Sequence, residues 1–152
     1  MAYLPTLADA VATHARLSPQ KVATRDSRRS LTYAQWHARA SGLAAGLLNL
    51  GLTQGDRVAV LACNCIEWME IYVAMARAGL VVVPLNFRLS APEIQYIVQD
   101  AEVGAVLAGA EFLALVDTLR DAVSIPAANF IALGLPDTDA WPAAWQDYEA
   151  LI

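Results

Sequence analysis

Residues 51–89 read GLTQGDRVAVLACNCIEWMEIYVAMARAGLVVVPLNFRL. The runs Arg57 to Ala62 and Leu80 to Leu85 are short, rich in valine and nearly continuous in apolar side chains, the pattern of strands covered on both faces. Between them, Ile66 to Arg77 predicts a helix with Ile66, Met69, Val73 and Ala76 on its inner face and Gly79 at its end. Parallel strands need a crossover connection, and a strand, a helix and a second strand in succession provide one. The two strands are therefore expected in a parallel sheet.

The alternation continues downstream. Ser90-Ala91-Pro92-Glu93 has capping-box form and starts a helix whose inner face is Ile94, Ile97, Val98 and Ala101. Val103 to Leu107 is the third strand. Glu111 to Ala122 has helical spacing through Phe112, Leu115, Val116 and Leu119, and Asn129 to Leu133 is a fourth strand. Upstream, Thr6 to Asp9 opens a helix ending near Leu17, and Val22 to Arg25 is a short β segment. Thr32-Tyr33-Ala34-Gln35 caps a helix with its apolar stripe at Trp36, Ala40, Leu43, Leu47 and Leu50, stopped by Gly51. The order β-α-β-α-β-α-β predicts an α/β fold: an open, mostly parallel sheet flanked by helices, Rossmann-like or flavodoxin-like, in one domain over residues 1–152. Ligands of such sheets sit beyond the carboxyl ends of the strands.

Composition narrows the function classes. The chain of 152 residues carries a net charge of -5, with ten basic residues against fifteen acidic ones, and Lys21 is the only lysine. This balance disfavours a phosphate-binding surface for nucleic acid. The longest stretches without charge, Ala40 to Gly55 and Ala122 to Pro136, fall short of the ~20 apolar residues that span a bilayer, so no transmembrane segment is expected. The N-terminal MAYLPTLADA lacks the basic and apolar regions of a secretory signal, and the expected location is cytoplasmic. Hydrophobic residues reach 57% and mean hydropathy is +0.41. That is high for a domain of this size and points to an apolar face meant for a partner or for further chain. The final AWQDYEALI (144–152), part of a segment starting at Trp141, is helix-like and lacks a capping signal, which also suggests continuation past Ile152.

Motifs for nucleotide chemistry are absent: neither G-x-G-x-x-G nor G-x-x-x-x-G-K-[ST] occurs. Cys63 and Cys65 have neither redox-pair nor zinc spacing and read as small residues after a buried strand. His14 and His37 fall on helices without triad partners, and no metal ligands or catalytic residues are assigned. Glu67 and Glu70 read as a solvated helix face. Arg25, Arg28 and Arg29, interrupted by Asp26, read as a hairpin surface. The informative loop is Pro84 to Ser90, at a strand's carboxyl end, where Arg88 has no acidic neighbour in sequence and is suited to a phosphate.

Several motifs together carry a family resemblance over about Thr6 to Leu119. They are Leu31-Thr32-Tyr33 opening a helix, GLTQGDRVAVLACNCIEW, ARAGLVVVPLNFRL and the S-A-P-E helix start. The chain resembles the N-terminal part of the adenylate-forming (AMP-binding) enzymes, and the P-L-N-F-R-L run makes it most similar to fatty-acyl or related carboxylate CoA ligases. It departs at Gln35-Trp36, where the family commonly has an acid and leucine. The resemblance implies an acyl-CoA synthetase that joins a carboxylate, ATP and CoA through an acyl-adenylate, with ATP, Mg²⁺ and CoA as cofactors of the whole enzyme. It also implies that Asn86, Phe87 and Arg88 lie near the CoA path, with Arg88 meeting a CoA phosphate. The family's phosphate loop and its catalytic C-terminal domain do not occur in these residues. The chain is thus expected to be a subdomain cut from a longer ligase, inactive alone, binding no cofactor tightly, with the rest of the ligase chain and a carboxylic acid of the fatty class as partners. Two alternatives stay open: a stand-alone α/β binding module, dimerising through its exposed apolar face, and a fragment of an amino-acid-activating adenylation domain.

Overall fold

A computed structural model describes residues 5–134 and 144–152. Helix α1 (Leu7–Leu17) starts at the capping box of Thr6 and Asp9. Strands β1 (Val22–Arg25) and β2 (Ser30–Thr32) pair antiparallel as a separate hairpin, and α2 (Tyr33–Asn49) follows from the Thr32–Gln35 capping box. Then come β3 (Arg57–Leu61), α3 (Glu67–Ala78), β4 (Val81–Pro84), α4 (Ala91–Asp100) and β5 (Val103–Gly109). A 3₁₀ turn at Ala110–Phe112, α5 (Leu113–Asp117), β6 (Phe130–Leu133), β7 (Gln146–Asp147) and α6 (Tyr148–Leu151) complete the described chain.

The second sheet has the order β4-β3-β5-β6-β7, and every pair in it is parallel. Its alternating side chains feed two cores. Val58, Val60, Ala105, Leu107, Ile131 and Leu133 pack with α1, α2 and α3 on one face. Ala59, Leu61, Val106, Ala108, Phe130 and Ala132 pack with α4 and α5 on the other. The expected open α/β sheet with helices on both sides is what forms. β3 is covered on both faces, as its apolar run requires.

Four local expectations fail, each for an identifiable reason. The run Leu80 to Leu85 is not a buried strand: β4 is an edge strand, with Val81 and Pro84 exposed, and a proline at a sheet edge spoils no ladder on its free side. The inner face of α3 is rotated. Met69 is 39% exposed, whereas Glu67 and Glu70 are buried. Glu111 to Ala122 is not one helix but two 3₁₀ turns flanking α5, which ends at Asp117, where the Thr118 hydroxyl donates to the Leu115 carbonyl at 2.6 Å and competes with the helical ladder. Finally, the tail 144–152 is not a helix throughout. Gln146 and Asp147 pair with Ile131 and Ala132, after which Asp147 caps the single turn of α6 by accepting the Glu149 N–H at 2.9 Å. Residues 141–143 of that expected segment lie outside the described residues.

Candidate functional site

The chain passes from β3 through α3 on one face to β4, then through α4 on the opposite face to β5. Connections therefore leave β3 and β5 in opposite directions, which opens a crevice at their carboxyl ends, the location where doubly wound sheets bind ligands. A cleft of about 130 Å³ lies there, lined in part by Arg28, Cys63, Asn64, Glu67, Gly109 and Glu111. Neither thiol is prepared for nucleophilic work. The Cys63 thiol is pushed up by desolvation and then by the Glu111 carboxylate, and burial followed by the Glu67 carboxylate pushes Cys65 up to about 12. Both remain protonated at neutral pH, where a thiolate would be required. The cysteines thus behave as small residues following β3, as expected, and neither forms a disulfide.

Beside the cleft, the loop after β4 presents Asn86, Phe87 and Arg88. Leu85 anchors it, buried and donating its N–H to the Val60 carbonyl at 2.9 Å. The Asn86 side-chain oxygen accepts the Arg88 N–H at 3.0 Å, and the Asn86 carbonyl accepts the Leu89 N–H at 3.0 Å. This Asx turn explains why asparagine stands at the start of the loop. Ser90 and Glu93 then form the capping box of α4. Phe87 and Arg88, in the middle of the turn, are exposed. The Arg88 guanidinium carbon lies 5.5 Å from the Phe87 ring centroid, and the Phe87 ring is tilted against Phe112, 6.3 Å between centroids. Among the described residues no carboxylate forms an ion pair with Arg88.

Sequence reasoning missed a polar cluster on the other side of α3. Glu70, 0% exposed, accepts from Arg39 Nε at 2.7 Å, Arg39 Nη2 at 3.1 Å and the Tyr148 hydroxyl at 2.7 Å, with Arg29 Nη2 at 3.5 Å. Arg29 also donates to Glu67 at 2.8 Å, and Arg39 grips both oxygens of Glu149 at 2.8 and 2.7 Å. Arg29 is therefore not plain hairpin surface. Asp26 explains its aim: its Oδ1 accepts the N–H groups of Arg28 and Arg29, which lowers its pKa and fixes the turn. Hydrogen bonding to Glu149 raises the Arg39 pKa further, and the same contact lowers that of Glu149. Burial raises the Tyr148 hydroxyl well above its ordinary value. Such a cluster is structural: it ties the hairpin, α2, α3 and the 144–152 segment together. The sequence held one signal for it, since Ile66, Glu70 and Val73 share a helical stripe as well as Ile66, Met69 and Val73 do.

The histidines stay away from this edge. His14 stacks on Tyr33 with centroids 4.9 Å apart, and His37 approaches Arg77 Nη1 at 3.4 Å. Among the described residues, no three His, Cys, Asp or Glu side chains gather as a metal site. No described helix is long and apolar enough to cross a membrane.

Comparisons with known proteins place this geometry. The family described as AMP-binding enzyme matches residues 11–148. A fatty acid–[acyl-carrier-protein] ligase of Streptomyces coeruleorubidus is 35% identical over 144 residues, covering 95% of this chain and 27% of the relative. An indoleacetate–CoA ligase of Aromatoleum aromaticum is 34% identical over 146 residues, covering 96% and 27%. The chain thus spans about a quarter of the length of these relatives. Among solved structures, a putative long-chain-fatty-acid CoA ligase from Rhodopseudomonas palustris superposes with a TM-score of 0.82 at 32% identity, over 96% of this chain and 36% of that one. A parallel α/β sheet of this topology, matched in sequence over nearly its whole length, shows that the chain belongs to the AMP-binding enzyme family.

Proposed function

We propose that these residues are the N-terminal α/β part of an ATP-dependent acid–thiol ligase that activates a carboxylic acid as its adenylate and transfers the acyl group to CoA. What carries the reading is the exposed Arg88, free of carboxylate partners among the described residues, on a stiffened turn at the sheet's carboxyl edge. A guanidinium presented in this way makes charge-assisted, bidentate hydrogen bonds to phosphate. CoA, when bound, supplies the thiol that accepts the acyl group and brings phosphates suited to Arg88. In this reading Arg88 holds a phosphate, Asn86 keeps the turn closed, and Phe87 offers an apolar surface beside the anion.

The chain's residues do not fit ATP and Mg²⁺ in the same way. The sequence has no glycine-rich phosphate loop, its only lysine is Lys21, and no metal-ligand trio gathers among the described residues. No adenylation step is assigned to them, and these 152 residues alone are expected to be inactive. The substrate class is a carboxylic acid, supported by the names of the relatives, and the proposed location is cytoplasmic. One relative is named a fatty acid–[acyl-carrier-protein] ligase, which supports a second reading in which a carrier-protein thiol takes the place of CoA as acceptor.

Carboxylate-dependent exchange of pyrophosphate into ATP tests the activity. The purified chain is expected to show none, and a longer chain reaching the relatives' length should show it with an organic acid present. Exchange by the 152 residues alone would disprove their proposed inactivity. In the longer chain, Arg88→Ala should raise the KM for CoA while leaving the exchange reaction, which uses no CoA, unchanged. An unchanged KM for CoA, with acceptance of a carrier protein, would favour the second acceptor.

A further inference from the structure

Phe87 is one of nine large apolar side chains left exposed among the described residues, and its ring has two neighbours: Arg88 from its own turn and Phe112 from the 3₁₀ turn after β5. β4 and β5 flank β3, so the Phe87–Phe112 contact reaches across the carboxyl end of β3. Phe112 is partly buried, and Leu113 beside it is anchored in the core under α4 and α5. Leu85 anchors the base of the exposed turn, and the aromatic pair adds a second tie, from the middle of the turn to the segment after β5. Tilted pairs at this separation are attractive, and a guanidinium within about 6 Å of a ring face gains from the ring quadrupole.

We propose that Phe112 is a positioning residue for the phosphate site: it seats the Phe87 ring, and that ring holds the Arg88 guanidinium at the carboxyl edge of the sheet, ready for an anion. The proposal rests on the reading of Arg88 as a CoA phosphate contact. Arginine has a long, rotamer-rich side chain, and a guanidinium already confined on a ring loses less freedom when it binds. Loss of that confinement should weaken binding roughly three- to tenfold, the range expected for immobilising one such side chain.

The test is nuclear magnetic resonance of a ¹⁵N-labelled longer chain reaching the relatives' length, following the Arg88 Nε–Hε signal without ligand and during titration with coenzyme A, dephospho-coenzyme A and inorganic phosphate. The variants are Phe112→Leu, Phe112→Tyr and Phe87→Leu. Phe87 is exposed, so its replacement leaves the core intact and covers the case in which Phe112→Leu disturbs the fold. Wild type and Phe112→Tyr should show an ordered Arg88 signal that shifts with coenzyme A. Phe112→Leu and Phe87→Leu should make it more mobile and weaken the coenzyme A response by the stated factor. If coenzyme A moves Arg88 equally well in wild type and both leucine variants, the role of Phe112 is overturned while the phosphate reading stands. If coenzyme A leaves Arg88 unmoved in wild type, the phosphate reading fails and the proposal falls with it, even where mobility responds to the variants. A response to inorganic phosphate equal to that for coenzyme A would show a general anion site and overturn the cofactor assignment.

Discussion

Replacing Glu70 by alanine leaves the Tyr148 hydroxyl without its acceptor and takes from Arg39 its most buried partner. Breaking a buried charged cluster from one side costs about 3–5 kcal/mol, so Glu70→Ala should lower unfolding free energy in urea by that order. Tyr148→Phe removes one hydrogen bond to a charged acceptor and should cost about 1–3 kcal/mol. A loss near zero for both variants would mean that water reaches the site. Glu149 adds a pH dependence. Its folded pKa lies below the ordinary 4.5, first because Arg39 hydrogen-bonds it, so its contribution is present above 4.5 and is lost as pH falls through the depressed value. Glu149→Gln should therefore flatten the acid limb of stability between about pH 5 and the acid transition, measured by urea titration at each pH. Unaltered acid dependence would remove Glu149 from the cluster. At this scale the exposed turn from Asn86 to Arg88 was legible as a turn, because a polar turn at a strand end is a local feature. The Glu70 cluster was not, because its bonded pairs join residues 31 to 110 positions apart.

At the scale of elements, α2 and α6 come so close that glycine is needed between them. A Cβ placed on Gly46 would lie 2.6 Å from the Leu151 carbonyl oxygen, and Gly42 faces Ile152 in the same way. Gly46→Ala thus tests two opposing effects. Alanine favours a helix interior over glycine by roughly 0.5–1 kcal/mol, but crowding a backbone carbonyl typically costs about 1–3 kcal/mol. Net destabilisation is expected, with faster amide exchange at residues 146–152 than elsewhere; a stabilised protein with unchanged exchange there would show that α6 does not dock on α2. The elements with strong local signals were read correctly: α1 and α2 from their capping boxes, β3 from its apolar run, α4 from Ser90 and Glu93. β7 was read as helix because a strand of two residues has no period of its own and exists only by pairing with β6.

For the whole molecule, stability should fall steeply from the centre of the sheet to its edge. Leu107, fully buried on the interior strand β5, should cost about 2–5 kcal/mol when replaced by alanine. Val81, 48% exposed on edge strand β4, should change stability by no more than about 0.5 kcal/mol. Equal losses in urea denaturation would contradict the strand order. The sequence by itself determined the alternation of strands and helices, the parallel sheet and the family, because apolar periodicity, caps and turn residues act over a few positions and repeat along the chain. Tertiary structure alone decided which strands lie at the edges, which way α3 turns its glutamates, and which ring supports Phe87. Burial depends on what packs from elsewhere in the chain: a carboxylate at a helical position is solvated or buried according to whether arginines and a tyrosine from distant segments arrive to pair with it.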